Sequence, residues 1–315
     1  MEYRYLGKTG LRVSRLCFGS LTMGPLQAGF SPAEAGEILA FAFEQGVNFV
    51  DMAQLYGVYP YVREALRRTK RDDIVLCSKT YAYEREAALE AVEEARKALD
   101  RDVIDIFMLH EQESELTLRG HRPALEALYD CKARGIVRAV GISTHHVAAV
   151  RAAEKLSLDV IHPLINVAGW GIVDGTRQEM EDAIQSAHNA GIGIYIMKAF
   201  GGGNLHKRSA ECLDYVLSLP FADAIAIGMQ AKDEVEANLH FFETGHYTSA
   251  QEKRLREKNR RIHVEDWCIG CGNCARHCPQ GAITVTDGRM QVNPDKCVLC
   301  AYCSAFCDMY AIKML

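Results

Sequence analysis

Apolar and polar residues along this chain change period in a regular way. Short runs rich in β-branched and apolar residues recur at 15–19, 47–51, 74–79, 104–110, 137–143, 160–166, 193–198 and 224–228. Each has the length and composition of a strand buried on both faces. Between them lie amphipathic stretches of helical length at 31–45, 84–100, 123–134, 147–155, 177–190 and 209–219. Ser31-Pro32-Ala33-Glu34 opens the first of these with a capping serine and a proline in the first turn. Gly46, Gly135 and Gly191 each close a helix just before a strand. Ahead of the alternation, residues 3–13 read as a hairpin turning at Gly7-Lys8-Thr9-Gly10.

Eight strands in strict alternation with helices predict a (β/α)8 barrel over residues 1–248 rather than an open doubly wound sheet. No G-x-G-x-x-G follows the first strand, which removes the Rossmann fingerprint. Residues 249–261 form a charge-rich connector of helical character, read as a solvated face. The last segment, 262–315, is a small α+β module with an internal pseudo-repeat.

Cysteine spacing defines that module. Cys268, Cys271, Cys274 and Cys278 form one C-x2-C-x2-C-x3-C run, and Cys297, Cys300, Cys303 and Cys307 form a second. This is the spacing of a ferredoxin that holds two 4Fe–4S clusters, in which the fourth cysteine of each run ligates the other cluster. The expected sets are therefore Cys268, Cys271, Cys274 and Cys307 for one cluster, and Cys297, Cys300, Cys303 and Cys278 for the other. Zinc favours paired C-x2-C knuckles, and a disulfide framework suits a small secreted domain. The opening Met1-Glu2-Tyr3-Arg4 leads straight into alternating sequence, so no secretory signal is expected. About fifty residues bury too little surface to fold securely alone, so the clusters are expected to supply stability. Cys17, Cys77, Cys131 and Cys212 are scattered and read as buried small hydrophobes.

In a barrel of this kind, chemistry sits at the C-terminal ends of the strands. Those ends carry Asp51, Tyr56 in the following loop, Lys79 and His110. With their local strings Asp51-Met52-Ala53-Gln54-Leu55-Tyr56-Gly57, Ser78-Lys79-Thr80 and Met108-Leu109-His110, they resemble the Asp, Tyr, Lys and His tetrad of the aldo-keto reductases. The similarity extends over residues 1 to about 245. It implies reduction of an aldehyde or ketone by hydride from NADP(H) or NAD(H), or the reverse oxidation of an alcohol, with Tyr56 as proton donor. A tyrosine has a pKa near 10, so Lys79 would lower it while Asp51 holds the ammonium in place. His110 would orient the carbonyl.

Further strings resemble the nicotinamide site of that family. Gly141-Ile142-Ser143-Thr144-His145 matches a carboxamide-binding segment, with Thr144 replacing Asn. His162 stands where Gln is common, on the strand ending at Asn166. Met197 replaces a stacking aromatic and is followed by Lys198. Gly201, Gly202 and Gly203 would bring backbone N–H groups to the pyrophosphate. After the eighth strand, Asn238 matches an adenine contact, and Lys232 is the nearest cation to a 2′-phosphate whose usual Lys and Arg are replaced by Gly228 and Glu234. The alternative is a ferredoxin-type electron-transfer protein, or a cluster-coupled reductase whose barrel binds a different cofactor or serves as scaffold. A Schiff-base aldolase through Lys79 or Lys198 is the weakest alternative.

The bulk properties narrow the partners. With 49% hydrophobic residues the chain can bury a sizeable core, and a formal net charge of −5 gives no electrostatic case for nucleic acid. No apolar run reaches the roughly 18 residues of a membrane helix. A small carbonyl or alcohol substrate, a redox protein partner at the ferredoxin module and a reducing cytoplasmic setting complete the expectations.

Overall fold

The structure, a computed structural model, describes residues 1–257 and 260–315. Residues 258 and 259 of the expected connector lie outside the described residues. The strands run β1 (Tyr3–Tyr5), β2 (Arg12–Ser14), β3 (Leu16–Gly19), β4 (Phe49–Asp51), β5 (Val75–Thr80), β6 (Ile104–Leu109), β7 (Val137–Thr144), β8 (Val160–Pro163), β9 (Gly193–Ile196), β10 (Ala224–Gly228), β11 (Ile262–Val264), β12 (Ile283–Thr286), β13 (Arg289–Val292) and β14 (Ile312–Met314). The helices are α1 (Pro32–Glu44), α2 (Tyr59–Arg68), α3 (Arg85–Leu99), α4 (Glu115–Gly120), α5 (Arg122–Ala133), α6 (Val147–Ala153), α7 (Arg177–Asn189), α8 (Ser209–Ser218), α9 (Lys232–Thr244), α10 (Ser249–Glu257) and α11 (Asn273–Arg276).

Strands β3 to β10 close into a parallel barrel, with β10 pairing back onto β3. Each is a near-continuous apolar run because helices cover the outside while side chains fill the inside. The outer layer is a core of strand and helix residues such as Leu39, Phe43, Val50, Phe107 and Ile184. The interior holds Cys17, Phe49, Cys77, Ile106, Met108 and Tyr195, plugged below by Leu6, Leu11 and Val13 of the β1–β2 hairpin. That plug needs a glycine: a Cβ on Gly7 would lie 2.3 Å from the Gly193 backbone nitrogen. Helix α1 starts with the predicted capping box, Ser31 and Glu34 each reaching the other's backbone N–H.

Past α10, the remaining residues form two small antiparallel sheets, β11–β14 and β12–β13. Their shared core is Cys274, Ile283, Met290, Cys303 and Ile312. The module lies on the barrel's C-terminal mouth. All five residues Tyr310 to Met314 are buried, although β14 belongs to a two-stranded sheet. Ile312 points into the module's own core, whereas Tyr310, Lys313 and Met314 face the barrel loops at Gly171, Gly202 and Gly203.

Candidate active site

Parallel register explains how the four strand-end residues meet. Asp51 pairs with Cys77, and Lys79 lies two residues further on the same face of β5. Lys79 Nζ is 2.5 Å from Asp51 Oδ1 and donates to the Met52 carbonyl at 2.7 Å. Lys79 is 1% exposed and Asp51 5%. Each of these buried charges is therefore held by partners on several elements. Tyr56 reaches over them from the short 3-10 turn after β4, with Lys79 Nζ 5.3 Å from its ring centre. Its hydroxyl lies 3.4 Å from His110 Nε2. Tyr81 stacks on the His110 ring, ring centres 4.4 Å apart, and donates its own hydroxyl to Glu111 at 2.6 Å.

The electrostatics differ from expectation in one respect. Burial pushes the Tyr56 phenol well above its ordinary value, and Asp51 and Glu111 push in the same direction. Lys79 hydrogen-bonds Asp51 and Met52 and lies 5.3 Å from the Tyr56 ring centre, and in the resting site Tyr56 stays protonated. Burial likewise holds His110 well below its ordinary value, with Lys79 adding to the effect, so its ring is neutral. Its Nδ1 has no hydrogen-bond partner among the described residues.

Beneath the tetrad lies a polar chain of which sequence reading missed Tyr195, while His162, expected at the nicotinamide carboxamide, is stacked into it. Tyr195 of β9 donates its hydroxyl to Asp51 Oδ1 at 2.8 Å and meets Cys77 Sγ at 3.0 Å. His162 stacks on Tyr195 at 3.8 Å, with Nδ1 2.6 Å from the Tyr195 carbonyl. Burial lowers the His162 pKa to about 3, against the pull of Asp51 3.7 Å away, so it is neutral. An apolar-looking strand gave one hint: a tyrosine pointing into a barrel must find partners for its hydroxyl.

The residues expected to hold a nicotinamide dinucleotide are largely engaged with the chain itself. The Asn166 amide caps the turn at Ala168 and Trp170. The Ser143 hydroxyl accepts the Glu111 N–H at 2.9 Å, and Thr144 caps His146. Lys198, at φ +58, places Nζ 2.9 Å from His145 Nε2, and burial lowers its pKa to about 8. Lys232 pairs with Glu37, and Asn238 accepts from Tyr247. Gly201, Gly202 and Gly203, all at positive φ, face β14: Gly202 O accepts the Met314 N–H at 3.0 Å. A Cβ on Gly203 would lie 2.0 Å from the Met314 carbonyl. β14 thus lies against this loop at backbone distance, where the resemblance would put the pyrophosphate.

The cysteines fit iron–sulfur chemistry much better. Cys268, Cys271, Cys274 and Cys307 line one hollow, together with Ile269, Met290, Phe306 and Ile312. Cys278, Cys297, Cys300 and Cys303 line a second. Among the described residues no three His, Cys, Asp or Glu side chains converge tightly enough for a lone ion; the thiols surround a space instead. The two crossing cysteines are treated alike. Ala282 N–H donates to Cys278 Sγ at 3.4 Å and Ala311 N–H to Cys307 Sγ at 3.3 Å.

Comparison with known proteins agrees with this architecture. The Aldo/keto reductase family profile matches residues 15–211, and the 4Fe-4S binding domain profile matches 262–284. Aldo-keto reductase YhdN of Bacillus subtilis is 26% identical over 200 residues, 58% of this chain and 57% of that protein. An uncharacterized polyferredoxin-like protein of Methanocaldococcus jannaschii is 33% identical over 88 residues, 22% of this chain and 52% of that one. In these two matches the chain spans less than two thirds of the relative's length. The holo form of an aldo-keto reductase from Bacillus halodurans superposes with a TM-score of 0.66 at 19% identity, covering 82% of this chain and 96% of that one. With a profile spanning most of its closed barrel and a 4Fe-4S profile on its last segment, the chain belongs to the aldo/keto reductase family and carries a C-terminal iron–sulfur domain.

Proposed function

We propose that the barrel interconverts a small aldehyde or ketone and its alcohol, with Tyr56 as the proton donor, and that the C-terminal domain holds two 4Fe–4S clusters. The observation that carries the reading is the packing of Tyr56 between Lys79 and His110 above the buried Asp51–Lys79 pair. A protonated Tyr56 can give its proton to an alkoxide, which is a far stronger base than a phenolate. Once the proton has left, the Lys79 ammonium, 5.3 Å from the ring centre, offsets the phenolate charge through space, Asp51 holds Lys79 while Tyr195 hydrogen-bonds the same carboxylate, and neutral His110 positions the carbonyl oxygen. The reducing equivalent implied by family resemblance is a hydride from NADP(H) or NAD(H). We take residues 1–248 as the catalytic unit, 249–261 as connector and 262–315 as the cluster-bearing unit.

Replacing Tyr56 by Phe removes the proton donor alone. Carbonyl reduction by the anaerobically purified protein should fall by roughly 10²–10⁴-fold; a variant retaining most of its activity sinks the assignment.

A second reading couples the clusters to the barrel. It is favoured by Tyr310, which follows cluster ligand Cys307 by three residues and packs edge-on against His145, 6.1 Å between ring centres. Ile269, Val298 and Tyr302, exposed beside the hollows, offer a face for a redox partner. If NADPH fails to bleach the cluster absorbance, the clusters do not receive electrons from a barrel-bound nicotinamide.

A further inference from the structure

In (β/α)8 barrels the loops after strands seven and eight frequently make a phosphate site. Here β9 is the seventh barrel strand, and the loop after it carries three successive glycines at φ +57, +65 and +83. Successive backbone N–H groups in turn conformations form an anion-binding concavity. In this molecule the same loop has another occupant. Gly202 O accepts the Met314 N–H, and Asn204 Nδ2 donates to the Ile312 carbonyl at 2.9 Å. The Ser304 hydroxyl closes the contact on Asn204 Oδ1 at 2.7 Å. The outer edge of β14, which would otherwise expose unpaired backbone groups, is thereby satisfied by the barrel.

Steric evidence points the same way. Positions for a Cβ on Gly202 and Gly203 lie 2.8 Å from Lys313 Cδ and 2.0 Å from the Met314 carbonyl. On the neighbouring loop, one on Gly171 lies 2.9 Å from the Tyr310 ring. The loops thus meet the C-terminal segment at backbone distance, leaving no layer between them for a pyrophosphate.

We propose that β14 is an internal competitor for the phosphate loop of the barrel. A nicotinamide dinucleotide binds only when Tyr310 to Leu315 have left Gly201–Asn204, so cofactor binding and docking of the iron–sulfur domain exclude each other. The inference rests on the reading of the barrel as a nicotinamide-dependent reductase, but it concerns binding and not the proton donor. Loss of the Tyr56 assignment would leave it standing. Its consequence is that the domain's position is linked to cofactor occupancy: whatever holds the domain down lowers apparent NADPH affinity by the fraction of molecules left open.

The test uses the full chain with its clusters, purified without oxygen. NADPH binding is measured by calorimetry for the wild type, Ser304→Ala and Met314→Pro. The last variant removes the N–H that Gly202 accepts. Each variant loses a docking hydrogen bond, so each should bind NADPH roughly fivefold tighter or more. In the wild type, hydrogen–deuterium exchange should show the Met314 amide losing protection when NADPH is added, which keeps the test open if a variant folds poorly. The proposal is overturned if NADPH binds the wild type while that amide stays protected. Equal affinity in all three proteins overturns it, as does the absence of binding in all three, since β14 would then not be what excludes the dinucleotide.

Discussion

The Asp51–Lys79 pair is the most heavily constrained feature of the barrel, and breaking it has a calculable cost. Both side chains are almost fully buried and in contact at 2.5 Å. Asp51→Asn leaves the Lys79 ammonium with uncharged acceptors only, the Met52 carbonyl and an amide oxygen. Lys79→Met leaves the Asp51 carboxylate with the Tyr195 hydroxyl and a neutral His162. Removing one partner of a buried pair typically costs about 3–5 kcal/mol, because the remaining charge is stranded in a poorly polarisable interior. For a barrel of this size that lowers the melting temperature by on the order of 10 °C. The double variant Asp51→Asn/Lys79→Met strands no charge. It should be more stable than the sum of the single changes implies, by about 2–3 kcal/mol. Urea unfolding under argon, followed by far-ultraviolet circular dichroism, gives all four free energies. Carbonyl reduction should be lost in the double variant even as its stability recovers, which separates the catalytic contribution from the structural one. The reasoning is refuted if each single change costs less than about 1 kcal/mol and the two add.

Two further outcomes follow from the same geometry. Lys198 has a folded pKa of about 8 against 10.5 unperturbed, so between those values the unfolded chain binds more protons and stability rises with pH. The difference in melting behaviour between wild type and Lys198→Met should grow in favour of the wild type from pH 8 towards 10.5, by up to about 3 kcal/mol; parallel curves would count against a buried ammonium there. Cys271→Ser removes one thiolate from the hollow that Cys307 also lines. Iron content should fall from about eight to about four atoms per chain, and a variant retaining all eight would remove Cys271 from the ligand set.

Much of the site was legible because its signals are local. Cysteine spacing is set by how far a loop can wrap, so both runs could be read directly, and the structure brings each set of four around one hollow. The tetrad positions were read from strand ends, which short apolar runs bounded by helices mark to within a few residues, together with the family resemblance. Strand β8 ends at Pro163 and β9 at Ile196, short of the expected 166 and 198, because there the chain turns into loops. Tyr195 escaped notice because a one-dimensional pattern cannot tell an interior-facing residue from one under a helix. Whether it meets Asp51, 144 residues away, depends on barrel closure.

The glycines mark the boundary between the two kinds of information. Sequence marked Gly201 to Gly203 as a loop free of Cβ atoms, which suits close backbone approach and a flexible turn alike, and only the family resemblance suggested a phosphate there. Sequence also determined the alternation that makes a barrel and the thiols that make a cluster domain, because periodicity and spacing are properties of the chain. Only the tertiary structure decided what approaches that loop. Phosphate and a strand edge ask for similar things, exposed backbone groups and an absence of side chains. The choice was made by the placement of the last six residues, which are more than a hundred positions away and carry no local mark of where they will dock.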